Sequence, residues 1–493
     1  MSLSAFSDLL PILNSIVNFA LQSGIMPNLL KNALVTPVLK KSQDKENLVN
    51  YRPVSNLPYL GKLVEKVAVK QLDAHMTDEN LHEPLQSAYR SNHSTETALV
   101  KVSNDILSAL DERKCVYLVL LDLSAAFDTI DHTVFLQRLE GECGVAGDAL
   151  KWMESYLSDR HQCVKINSTL SDNRNILFGF PQGSLIGPFG FKIYTKPLTE
   201  IAKRHNIKIH LYADDTQLYT SFDPNHSEEA MNRLESCIED IRNWMSKNFL
   251  KLNEKKTEFI IFGTKTDLSK IEEWTVTVGD SIILPSKSVR NIGARMDTEL
   301  TLNDHINDKI RACYAQLYSI SKIRKYLSID STKSIVHAFV ISRFDNLNSL
   351  LANSFQYQYN RLQKVQNNAA RLITKQKKSD HITPTLQSLH WLPIEQRIQY
   401  KILLLVFKCH LNIAPSYLQS LLIPYTPNHY NLRSAMENKY CVNRTKKKYG
   451  ELAYMNAGPK LWNELPASLR NCPSISSFKT KLKTHLFEIA FGI

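Results

Sequence analysis

The chain contains no run of 18 or more apolar residues, and its opening shows no charged stretch followed by an apolar core and a cleavage site. Neither a membrane-spanning helix nor a secretory leader is therefore expected. Its eight cysteines are scattered, with no C-x-x-C pair and no zinc-knuckle spacing, which argues against a disulfide scaffold or a structural zinc site. Free thiols in a reducing compartment follow. A soluble, intracellular protein is expected, with nucleus and cytoplasm both open and no membrane partner. Internal repeats and low-complexity tracts are missing as well.

What is present is a core-forming composition. Of 493 residues, 43% are hydrophobic, enough for two to four folded domains. Sixty Lys plus Arg against 48 Asp plus Glu leave a net charge of +12, which favours a polyanionic partner such as nucleic acid. Residues 431–493 carry eleven of the basic and four of the acidic residues, including the run Arg444, Lys446, Lys447 and Lys448. That run reads as a phosphate-binding patch or as a plain solvated face.

Periodicity predicts a helix over residues 6–21, ended by Gly24 and Pro27, and a second over 60–76. An opening directly in a helical pattern is what one piece of a longer polyprotein would show. The apolar run Cys115–Leu121 suits a strand buried on both faces. Residues 207–213 and 216–220 read as two strands joined by Asp214 and Asp215, a hairpin with an acidic tip. After Asp297 long helical periods take over, as in 306–326 and 361–374, so a boundary is expected near residue 298.

The chemistry lies in two acidic clusters. In VLLDLSAAFD at 119–128, Asp122 closes a buried strand, and a carboxylate there needs a cation or a solvent-filled cleft. On that segment alone the cap of a following helix is the favoured reading. In LYADDTQLY at 211–219, Asp214 and Asp215 serve one site only where the backbone turns, and adjacent carboxylates repel unless a cation intervenes. Hard oxygen ligands without nearby His or Cys favour Mg²⁺. Two such ions about 4 Å apart activate a 3′-hydroxyl and stabilise a leaving pyrophosphate.

Between the clusters lies FPQGSLIGP at 180–188, which as a bare string is only a turn. In this order, Asp122, Gln182-Gly183 and the YADD of 212–215 resemble motifs A, B and C of reverse transcriptases. Further strings narrow the resemblance to the jockey and CR1-like clade of non-LTR (LINE-type) retrotransposons. They are NYRPVSNL at 50–57, QSAYRSNHSTETAL at 86–99, LKLNEKKTEF at 250–259, NIGARMD at 291–297, LHWLPI at 389–394 and LWNELP at 461–466.

The resemblance implies an α/β (α+β) fold: a right-hand palm and fingers over 20–297 with an antiparallel palm sheet, then a mostly α-helical thumb and C-terminal region over 298–493. It implies RNA-directed DNA synthesis, with dNTPs added to a primer 3′ end. Asp122, Asp214 and Asp215 would hold two Mg²⁺ ions, with Mn²⁺ as a possible substitute. Phe127 matches a steric gate against the 2′-hydroxyl, although its register also suits a core aromatic. Gln182 and Gly183 match the template contact beside the incoming base pair. Arg52 and Lys41, with Arg90 as a third candidate, resemble the fingers bases that meet the triphosphate. Lys256, with Lys255 beside it, resembles the lysine that protonates pyrophosphate.

The expected partners are an RNA template, a DNA primer and dNTPs, with no separate protein partner. Two departures stand out: Gly190 interrupts the helix after motif B, where glycine costs roughly 1 kcal/mol relative to Ala, and no endonuclease precedes the polymerase motifs. They motivate the alternative of a decayed copy that binds nucleic acid without catalysis. An RNA-templated RNA polymerase shares the palm and its metals, but Phe127 disfavours it.

Overall fold

The structure is a computed structural model that describes residues 3–40, 44–124, 127–271, 275–352, 354–426 and 438–492. It is α+β, with helices and largely antiparallel sheets. Two compact units are each drawn from discontinuous stretches. The first takes Met1–Tyr89, Leu121–Thr216 and Ser236–Lys256, the second Arg90–Leu120, Gln217–Glu235 and Thr257–Ile493.

In the first unit, Ala33–Leu39 pairs antiparallel with Tyr51–Asn56 and parallel with Arg160–Ile166. Pro37 stands opposite Pro53, and the parallel neighbour reaches only Ala33 to Val35. Among the described residues Pro37 therefore has no second strand beside it, and its missing N–H breaks no ladder bond. The helix Tyr59–Asp78 buries Val64, Glu65, Ala68, Leu72 and Met76, a stripe at helical spacing.

The helix Ile186–Tyr194 is buried almost all round, as a helix apolar on every face should be. Gly190 sits where this helix packs against two aromatic rings. A Cβ at this position would stand 2.4 Å from Cζ of Phe180 and 3.2 Å from Cε2 of Phe135. Those two rings meet edge to face at 5.2 Å. Glycine is what lets the helix close on them, so the residue read as a mark of decay is a packing requirement.

Glu258–Phe262 pairs antiparallel with Cys115–Leu121. Cys115–Leu121 is buried at all but Leu120, as its unbroken apolar run requires. Phe259 pairs with Val119 and Glu258 with Leu120 in an antiparallel register. Lys208–Tyr212 and Asp215–Phe222 are the two arms of the expected hairpin, so Asp214 lies in the turn and Asp215 opens the second arm.

In the second unit, Ser94 and Thr97 close a capping box at the start of Thr95–Asp111. After Asp297 the described residues hold helices and one isolated bridge between Pro424 and Tyr440. Asn303–Ile323, Gln356–Thr374, Ile394–His410 and Ile475–Phe491 are the longest of these helices. Phe407 and Phe478 stack at 4.0 Å beside the buried Trp462 of LWNELP.

The basic run at 444–448 does not present its backbone to a phosphate. The Asp111 carboxylate accepts from the amides of Lys446 at 3.0 Å, Lys447 at 2.6 Å and Gly450 at 3.3 Å. All eight cysteines are free thiols. No described helix is long and apolar enough to cross a membrane.

Candidate active site

The buried strand delivers Asp122 to its end, where the chain leaves the sheet. Asn253 fixes this point twice: its amide donates to the Asp122 carbonyl at 2.8 Å, and its Nδ2 to Oδ2 at 3.3 Å. Three residues on, the Nζ of Lys256 lies 3.2 Å from the same Oδ2. Both lysines are exposed, and the one whose ammonium reaches an Asp122 oxygen is Lys256. A short 3-10 turn, Glu254–Lys256, sets that contact, and sequence spacing alone does not record it.

The acidic turn is clasped from one side. Ala213 adopts a left-handed φ of +57°, strained for a residue with a side chain. The buried Gln86 supports it, accepting from the Ala213 amide at 3.1 Å and from Ala88 at 2.9 Å. Leu211 exchanges backbone bonds of 2.9 Å with Leu85 and Ser87, and Ser87 Oγ meets His210 Nε2 at 2.9 Å. Gln86 lies in a quoted motif, but its support of this turn follows only from the pairing of distant segments.

The three aspartates feel one another. Burial raises the pKa of Asp214 and Asp122 adds to the rise, while the peptide amide of Asp214 itself, Arg52 and Lys256 pull it back. Asp215 keeps an exposed edge, yet burial of its carboxyl, then Asp214 and Asp122, push it up to about 6. Tyr89, at a left-handed φ of +55°, is also raised, by burial and then by Asp214. Its place beside the turn was not foreseen.

The motif B turn is built by close backbone approach. Ser55 donates its amide to the Gln182 carbonyl at 2.7 Å. Gly183 has φ +120°, and a Cβ there would meet the Ser55 carbonyl at 2.8 Å, so glycine is required twice over. Nε2 of Gln182 donates to both carboxylate oxygens of Asp128 at 2.9 and 3.0 Å. Asp128 was passed over in the sequence. Burial raises its pKa and the Gln182 bond lowers it.

The ring of Phe127 lies 4.8 Å from that of Phe191, tilted by 30°. Its carbonyl accepts from Phe180 at 2.9 Å. Phe191 is fully buried, so the Phe127 ring rests on a fixed floor. Glu65, buried within the Tyr59–Asp78 helix, accepts from Leu185 N at 2.7 Å and Tyr156 Oη at 2.9 Å, anchoring the approach to the Ile186–Tyr194 helix. Arg90 is half-buried and opens the second unit. Lys41 lies outside the described residues.

This geometry has a counterpart among known proteins. The family described as "Reverse transcriptase (RNA-dependent DNA polymerase)" matches residues 38–296, more than half of the chain. A probable RNA-directed DNA polymerase from transposon BS of Drosophila melanogaster is 27% identical over 73% of this chain and 40% of its own length. The RNA-directed DNA polymerase from mobile element jockey of Drosophila melanogaster is 25% identical over 61% of this chain and 32% of its own. The chain thus spans well under half of these relatives. Among solved structures, apo telomerase from Candida Tropicalis aligns over 82% of this chain and 70% of its own, with 11% identity and a TM-score of 0.44. The order of the motifs, the aspartates they bring together and the family match agree: the chain belongs to the reverse transcriptase family, on its jockey-like, LINE-type branch.

Proposed function

We propose that the chain is an RNA-directed DNA polymerase that adds dNTPs to a primer 3′ end paired to an RNA template. The observation that carries this reading is the electrostatic coupling of Asp122, Asp214 and Asp215, with Lys256 and Arg52 as the compensating cations. Residues 20–297 are assigned to fingers and palm, and 298–493 to thumb and C-terminal region.

The donor set suits hard divalent cations, which fits two Mg²⁺ ions with Mn²⁺ as a substitute. Among the described residues, no three carboxyl, imidazole or thiol groups converge as closely as a bound ion requires. Burial first and mutual repulsion second raise Asp214 and Asp215, and a divalent cation relieves both. When bound, such ions lower the pKa of a 3′-hydroxyl and stabilise the leaving oxygen.

The chain's own residues supply the rest. Asp122, Asp214 and Asp215 orient the charged groups. Lys256, already 3.2 Å from an Asp122 oxygen, holds a proton where pyrophosphate departs. Arg52, and by resemblance Lys41 and Arg90, offset triphosphate charge. Phe127, backed by Phe191, stands where a 2′-hydroxyl would project. Gln182, fixed by Asp128, and Gly183 form the shelf for the template base. Since Gly190 is a packing requirement, it lends no support to a decayed copy.

Primer extension on a defined RNA template with Mg²⁺ and dNTPs tests the proposal. Extension is expected from the unaltered chain and is lost when Asp214→Asn and Asp215→Asn are combined. Template binding without extension by the unaltered chain refutes catalysis.

A further inference from the structure

Far along the chain from the aspartates, the second unit holds a cavity of about 500 Å³, within the roughly 300–1,000 Å³ range of small-ligand sites. Its apolar floor includes Leu389, Trp391 and Leu392 of the LHWLPI string, a motif the polymerase reading leaves without a role. Helix Ile394–His410 adds Arg397, Tyr400 and Lys401 to the wall.

Three independent features mark this cavity as a site. Asn348 lines it, is 3% exposed, and its Oδ1 has no hydrogen-bond partner among the described residues. A buried carbonyl oxygen left so is unfavourable, and a ligand N–H or O–H would satisfy it. His390 sits in the wall at a left-handed φ of +53°. His337, also in the wall, begins a π-helical turn, His337–Ile341, a rare geometry that recurs at functional sites.

The charges define the ligand. Asp345 clamps Arg397 through two bonds, of 2.9 and 2.5 Å, and Glu96 pairs with Lys401 at 3.0 Å. That leaves Lys333 and Lys483 in the wall with no acidic partner among the described residues. The positive charge continues past the cavity: Lys408, on the same helix as Lys401, feels both Lys401 and Lys479 of helix Ile475–Phe491. A lone anion needs no such track, whereas a polynucleotide does. An aromatic wall, an unpaired acceptor and flanking cations together match a base, its donor edge and its phosphates.

We propose that this cavity takes one unpaired nucleotide of a single-stranded nucleic acid, held by Trp391 and Tyr400 at the base, Asn348 at a donor group, and Lys333 and Lys483 at the flanking phosphates. The site is separate from the polymerase reading and does not depend on it.

The test uses the full chain with a short single-stranded RNA carrying 5-iodouridine and a DNA of the same sequence carrying 5-iododeoxyuridine. Photocrosslinks are expected in the peptides bearing Trp391 or Tyr400, and are expected to persist in the Asp214→Asn, Asp215→Asn protein. RNA crosslinking more strongly than DNA assigns a 2′-hydroxyl to Asn348, and equal yields assign a base edge. Lys333→Glu combined with Lys483→Glu should weaken binding about tenfold and lower the salt slope by about two. The equal charge change Lys265→Glu with Lys270→Glu, on an exposed surface, should change affinity by about twofold or less. Asn348→Leu should weaken binding with an unchanged melting temperature. Crosslinks confined to other peptides, or charge reversal at the cavity no more damaging than the control, overturn the proposal. Crosslinks here in a chain that extends no primer would refute the polymerase reading and leave this one standing.

Discussion

A methyl group at position 190 would collide with the ring of Phe180. Helix propensity alone favours Gly→Ala by about 1 kcal/mol, whereas overpacking a closed core costs about 1–3 kcal/mol. The second effect wins because Phe180 is held at both ends, its ring against Phe135 and its backbone amide on the Phe127 carbonyl. Gly190→Ala should therefore lower the urea midpoint, and a raised midpoint would sink the packing argument. Lys256 and Lys255 offer a sharper contrast at the same scale. If Lys256 transfers a proton, Lys256→Ala should slow single-turnover nucleotide addition by roughly 10²- to 10⁴-fold, and Lys255→Ala by about threefold or less. Equal losses in the two variants would remove Lys256 from the chemistry.

At the scale of elements, the acidic hairpin is shaped by a segment more than a hundred residues earlier. Gln86 satisfies the amide of a left-handed Ala213, and Leu85 and Ser87 pair with Leu211 beside it. Gln86→Ala would leave a buried amide unpaired, at a cost of about 1–3 kcal/mol. The expected result is faster hydrogen exchange at Ala213 and a larger fall in kcat than rise in KM, because Asp214 and Asp215 follow directly. An unchanged exchange rate would show that the turn holds itself.

At the scale of the whole molecule, stability should depend on pH through His305. It is 5% exposed, and burial, then Lys309, pushes its pKa down to about 3. The unfolded imidazole protonates near 6.5, so stability is full above that value and declines as the pH falls from 6.5 towards 3. Melting temperatures between pH 7 and about 5 should drop less steeply in His305→Gln than in the unaltered chain. Parallel slopes would assign the acid sensitivity elsewhere.

The sequence by itself determined the elements and the family. Cys115–Leu121 is unbroken enough in its apolar character to be a strand in any buried setting, and the acidic pair between two apolar arms fixes the hairpin. The order of Asp122, Gln182-Gly183 and Asp214-Asp215 carries the same weight, because those signals are local in the chain. Tertiary structure decided what depends on who meets whom. It brought Lys256 to Asp122, fastened Gln182 to Asp128, and set Phe191 beneath Phe127. It turned Gly190 from a helix defect into a fit and spent the backbone of the basic run on Asp111. None of these pairs lies within one turn or strand of its partner, and no periodicity records a contact between side chains that only folding brings within reach.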